Sequence, residues 1–146
     1  MKNTILVVED SQEMQDLLAL LLPQKGYDLL SATTGSEALA LLSSHPELSL
    51  ILLDLTLPDI SAPMFLAEVK KEQLAFAVPI VFFSASSKLL EMNLPEGVVG
   101  VIQKPFQISE LFSQVDKYSH PQGNETKLPN FPLQNLMDNP SVTLHF

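Results

Sequence analysis

Glu9, Asp10, Asp54, Ser84 and Lys104 each follow a short apolar run, and together their side chains form a coherent chemical set. Three carboxylates gathered in one place would raise one another's pKa values unless a cation lay among them. Oxygen donors of this kind suit Mg2+, which keeps several waters and takes only a few carboxylates beside phosphate oxygens. Lys104 would add a point charge able to reach a phosphoryl oxygen, and Ser84 a hydroxyl hydrogen bond. A carboxylate nucleophile, a metal, an ammonium and a hydroxyl suit phosphoryl transfer onto Asp54, where positioning and charge neutralisation do most of the work. Singly, each residue is ordinary. A Glu-Asp pair commonly opens a helix, an aspartate after a strand is often a turn residue, and Lys104-Pro105 reads as plain loop. The weight lies in all of them occurring in order at strand ends.

The elements that must position them alternate. Ile5 to Val8 is a continuous β-branched and leucine run, the pattern of a strand buried on both faces, and it stops at Glu9-Asp10. Ser11 can cap a helix through Met14, Leu17, Leu18, Leu21 and Leu22, closed by Pro23 and Gly26. Tyr27 to Ala32 reads as a second strand, and Thr34-Gly35-Ser36-Glu37 has the capping-box form ahead of a second helix. Leu48 to Leu53 is a third strand ending in Asp54, followed past Pro58 by a helix over Pro63 to Gln73. Pro79 to Phe83 ends in Ser84, a short helix spans 87–92, and Val98 to Gln103 ends in Lys104-Pro105. A last amphipathic helix runs from Ser109 through Tyr118. Five strands alternating with five helices predict an α/β fold, a doubly wound five-stranded parallel sheet whose ligands bind beyond the carboxyl ends of its strands.

Composition narrows the function. The net charge is −9 and all eight basic residues are lysines, so the arginine-bearing basic patch of a nucleic-acid binder is missing and no nucleic-acid partner is expected. Apolar runs are strand-sized, short of the ~20 residues of a membrane span, so no membrane partner is expected either. There is no cysteine, which fits a reducing cytoplasm, and His45, His120 and His145 lack metal-ligand spacing. No glycine-rich phosphate loop supports nucleotide binding.

Asp10, Asp54, Ser84 and Lys104-Pro105, with steps of 44 residues from Asp10 to Asp54 and 30 from Asp54 to Ser84, resemble the pattern of response-regulator receiver domains over residues 1–119. The resemblance implies a flavodoxin-like, receiver-type fold. It implies that Asp54 is the phosphoacceptor, charged by a histidine kinase or a histidine phosphotransfer protein. Glu9, Asp10, Asp54 and the backbone carbonyl of Thr56 would hold Mg2+; Lys104 and Ser84 would meet the phosphoryl group; small Ala85 would leave the acceptor accessible. The Lys104-Pro105 bond would be cis, and Pro58 matches the family's loop proline. Thr56 and Ser86 stand where the family tunes phosphoryl lifetime. Such a domain is a phosphoacceptor that promotes its own phosphorylation and hydrolysis, not an enzyme acting on other substrates.

Three departures bear on the readout. Val101 stands where most receivers carry an aromatic residue that rotates inward on phosphorylation. The step from Ser84 to Lys104 is 20 residues, about two short, with Pro95 and Gly97 inside it. Ala62 replaces a loop glycine, which would strain the loop if that position needs positive φ. These motivate an alternative function, a constitutive docking module with weak phosphorylation-dependent switching. A metal-dependent phosphatase on the same sheet would need a second acid near the nucleophile, where Asp54-Leu55-Thr56 offers a threonine. Residues 120–146 carry four prolines and little charge, and are expected to be a flexible or docking tail.

Overall fold

The computed structural model describes residues 3–45, 47–72, 78–85 and 93–119. In chain order these form β1 (Asn3–Val8), α1 (Gln12–Leu21), a 3-10 turn (Leu22–Lys25), β2 (Tyr27–Ala32), α2 (Gly35–Ser44), β3 (Leu50–Asp54), α3 (Ala62–Lys71), β4 (Ile80–Ser84), β5 (Val98–Gln103) and α4 (Ile108–Ser119). The expected helix over 87–92 and the tail of 120–146 lie outside the described residues. No described helix is long and apolar enough to cross a membrane.

All five strands are parallel, in the order β2-β1-β3-β4-β5. Because side chains alternate across a strand, each strand feeds two cores. Ile5, Val7, Leu50, Leu52, Val81 and Phe83 meet Met14 and Leu18 of α1 and Leu111, Phe112 and Val115 of α4 on one face. Leu6, Val8, Ile51, Leu53, Ile80 and Phe82 meet Ala38 and Leu42 of α2 and Phe65 and Val69 of α3 on the other. β3 and β4 are buried along their whole length, which explains why their sequences are unbroken apolar runs rather than alternating ones. Each such side chain contributes about 1.5–3 kcal/mol of burial.

Helix starts follow local chemistry. Ser11 Oγ accepts the Met14 N–H at 3.2 Å. Thr34 Oγ1 accepts the Glu37 N–H at 3.1 Å, and Glu37 reaches back to the Thr33 N–H at 2.8 Å. α3 begins one residue earlier than its proline suggests, because Ser61 caps it by accepting the Met64 N–H at 3.2 Å. Ala62 is therefore the first helical residue, a conformation open to any residue, and the strain expected of a positive-φ position does not arise. Gly26 does need its freedom: at φ 89° it closes the 3-10 turn and bonds back to Leu22 and Pro23.

A buried polar knot fastens the end of α4 to the start of β2. The Tyr27 hydroxyl donates to Asp116 Oδ1 at 2.6 Å and shares a hydrogen bond with Ser119 Oγ at 2.8 Å. Lys25 pairs with Asp116 at 3.0 Å and lies over the Phe112 ring.

Candidate functional site

The strand order reverses between β1 and β3: from β1 the chain winds outward to β2 on one side, then returns to β3 on the other. A crevice forms beyond the carboxyl ends of two such strands. Glu9 extends β1, its N–H bonded to the Ala32 carbonyl at 2.9 Å. Asp54 is the last residue of β3, Ser84 the last of β4, and Lys104 follows β5 with its N–H on the Ser84 carbonyl at 2.7 Å. The chemical set read from the sequence thus gathers at one rim.

Lys104 Nζ lies 2.7 Å from Glu9 Oε1 and 3.7 Å from Asp54 Oδ1. Its nearer partner is Glu9, while the sequence reading aimed it at the phosphoryl position beside Asp54. Glu9 is 1% and Asp54 3% exposed, whereas Asp10 is open to solvent. The second Glu9 oxygen accepts the Ser11 N–H at 3.1 Å. Thr56 donates to Asp54 Oδ1 twice, through its N–H and its hydroxyl, both at 3.1 Å. Ser84 is buried and Ala85 exposed.

Charge in the site is poorly balanced. Burial, and then the hydrogen bond with Asp54, push the Glu9 carboxyl up to about 7, against the pull of Lys104. One oxygen from each of Glu9, Asp10 and Asp54 falls within a 4.8 Å spread. Three acids facing one ammonium, all offering oxygen, fit a hard divalent cation such as Mg2+.

The Lys104-Pro105 peptide is cis, as expected. Val101 is half-buried and lies against the core that also holds α2 and α3.

Several supporting residues escaped sequence reading. Phe83 and Phe106 stack with centroids 5.8 Å apart, and Lys104 Nζ sits 5.7 Å above the Phe83 ring. Gln15, on α1, bonds backbone carbonyls behind Glu9. Asp59, in the loop after Asp54, accepts the N–H groups of Gly35 and Ser36 at 2.8 and 2.9 Å and the Ser36 hydroxyl at 2.8 Å. Those bonds, led by the two backbone donors, hold the Asp59 carboxyl below its ordinary value. Ser-Ala-Pro at 61–63 was a readable cap signal; the other contacts span 20 or more positions or hide in a helical stripe.

A family model described as the response regulator receiver domain matches residues 5–116. The response regulator SaeR of Staphylococcus aureus is 25% identical over 97% of this chain, and this chain spans 64% of that relative's length. Among solved structures, the response regulator TrrA of Thermotoga maritima, in complex with Mg(2+)-BeF, is 28% identical with a TM-score of 0.69 over 80% of this chain and 98% of that one. Chemotaxis protein CheY4 of Vibrio cholerae is 22% identical with a TM-score of 0.71 over 81% and 99%, a likeness of fold.

Proposed function

This chain belongs to the response regulator receiver domain family, and from that premise we propose that it accepts a phosphoryl group on Asp54 from a phosphohistidine donor and signals by protein contact. The donor is a histidine kinase or a histidine phosphotransfer protein. The observation that carries the reading is the meeting of Glu9, Asp10, Asp54 and Lys104 at one rim, with Lys104 within 3.7 Å of Asp54.

Glu9, Asp10, Asp54 and the Thr56 carbonyl would hold Mg2+, which when bound supplies charge neutralisation for the phosphoryl oxygens. The chain's own groups do the rest. Thr56 fixes the Asp54 carboxylate through two donors on one oxygen. An Asp54 oxygen attacks phosphorus as the phosphorus–nitrogen bond to the donor imidazole breaks, and the imidazole leaves with its electron pair. Lys104, steadied over Phe83, supplies a positive charge to the transferred group, and Ser84 a hydroxyl donor. Small Ala85 keeps the approach open. Residues 1–119 would form this unit and 120–146 an appendage.

A second reading rests on Val101: its short side chain on β5 cannot make the buried-to-exposed movement of an aromatic ring, which favours a docking module with weak switching. Labelling with a small phosphodonor and Mg2+, read by intact mass, tests the first. One phosphoryl group gained by the wild type and none by Asp54→Asn is expected. No gain by a folded wild type would leave the docking reading.

A further inference from the structure

α1 buries Met14, Gln15, Leu18 and Leu21, and Gln15 is the one polar member of that stripe. It is 5% exposed, so its amide must find partners inside the protein or cost about 1–3 kcal/mol. Its Nε2 lies 3.2 Å from the Val7 carbonyl, 3.1 Å from the Glu9 carbonyl and 3.0 Å from the Ala32 carbonyl. These carbonyls belong to the next-to-last residue of β1, the turn that follows it and the last residue of β2. Carbonyls only accept, so the donor end of the amide must face them. Its Oε1 has no hydrogen-bond partner among the described residues. A buried, half-satisfied amide in an apolar stripe points to a role that apolar packing cannot supply.

We infer that Gln15 is a positioning residue for the acidic pair, holding the Glu9–Asp10 peptide plane so that both carboxylates face the metal. The Glu9 carbonyl belongs to the peptide that joins Glu9 to Asp10, so fixing it sets the directions in which the two side chains leave the backbone. The Ala32 carbonyl also accepts the Glu9 N–H at 2.9 Å. Gln15 therefore ties both sides of Glu9 to the end of β2. A neutral amide suits the place: a carboxylate would repel three carbonyls, and a methionine of like size would take away the side-chain donor they share. The inference rests on the reading of Glu9 and Asp10 as metal ligands.

The test compares wild type, Gln15→Met and Val115→Ala in the full, unphosphorylated chain. Val115→Ala truncates a buried residue on α4, away from the site, and serves as the control for lost stability alone. Mg2+ is titrated while amide shifts are followed, and metal-free hydrogen exchange is read at Glu9 and Ser11, whose N–H groups bond Ala32 and the Glu9 carboxylate. Gln15→Met is expected to weaken Mg2+ about 10-fold or more, as loss of outer-shell partners does, and to speed exchange at both amides. Val115→Ala should leave Mg2+ affinity unchanged. Equal Mg2+ affinity in wild type and Gln15→Met, or equal weakening in the Val115→Ala control, overturns the inference. A wild type that takes up no Mg2+ overturns the metal-site reading instead. The exchange rates then decide on the clamp, and unchanged rates in Gln15→Met sink it.

Discussion

Replacing Gly35 with alanine measures how closely the loop after Asp54 is seated on α2. A Cβ built at Gly35 would stand 1.9 Å from Ile60 Cγ2, where carbon atoms rest about 3.5–4.0 Å apart. The Ile60 side chain, the loop or the helix must therefore give way by roughly 1.5–2 Å, on that same spacing. A shift of the loop would pull Asp59 away from the Gly35 and Ser36 N–H groups. Overpacking of this kind costs about 1–3 kcal/mol, and alanine's helix preference over glycine offsets at most ~1 kcal/mol. Gly35→Ala should be less stable by roughly 0–2 kcal/mol once that offset is taken in full. Ile60 is half-buried, so Ile60→Ala alone should cost about 1–2 kcal/mol. With the Ile60 branch gone, the alanine at position 35 has room. The double variant should then fall short of the sum by about 1–2 kcal/mol, a coupling in the range for touching side chains. Urea unfolding of the four proteins at a shared slope reads these differences. Additivity within about 0.5 kcal/mol would refute the close approach.

Tyr27→Phe should destabilise by about 1–3 kcal/mol, because Asp116 and Ser119 lose a buried partner; urea unfolding that shows no loss would dismiss the knot as decoration. Burial, and then Asp116, raise the Tyr27 hydroxyl above its ordinary 10, so the folded state keeps that proton longer. The contribution is present below pH 10 and fades as pH rises above it, and Tyr27→Phe should remove that alkaline decline. Glu9 behaves alike in a lower window. With its carboxyl raised from 4.5 to about 7, chelator-treated protein should lose stability as pH climbs through that interval. Glu9→Gln should flatten the profile, and an unaltered slope would contradict the burial argument.

The strands and the acids at their ends were legible because both signals are local. β2 and β5 occupy the spans their apolar runs mark, β1 begins two residues earlier than its run, and β3 and β4 are displaced from theirs by one or two residues at both ends. Asp54, Ser84 and Lys104 could be placed together before any coordinates, since a parallel sheet brings all its strand ends to one rim. What could not be read was which of them touch. Lys104 lies nearer Glu9, at 2.7 Å, than Asp54, at 3.7 Å, and a choice between two buried carboxylates on one rim leaves no mark in the sequence. Gln15 stands beside Asp16 in α1 and Asp59 follows Pro58 in a loop, and no motif or spacing singles either out. Their partners lie on other elements, so neither composition nor periodicity points to them.

The knot of Lys25, Tyr27, Asp116 and Ser119 also decides where the chain sets out from the sheet. Tyr27 opens β2 and Ser119 closes α4, so this fastening sits at the foot of the strands, and Asp54 stands at their head. A strand of this length separates head from foot by roughly 17 Å at about 3.3 Å per residue. That is about twice the ~8 Å over which physiological salt lets a charge be felt. A phosphoryl group on Asp54 would therefore be electrically mute to the Lys25–Tyr27–Asp116–Ser119 knot. News of it would reach that end of the domain as a displacement along the sheet or its helices, or be collected at the head by a visiting protein.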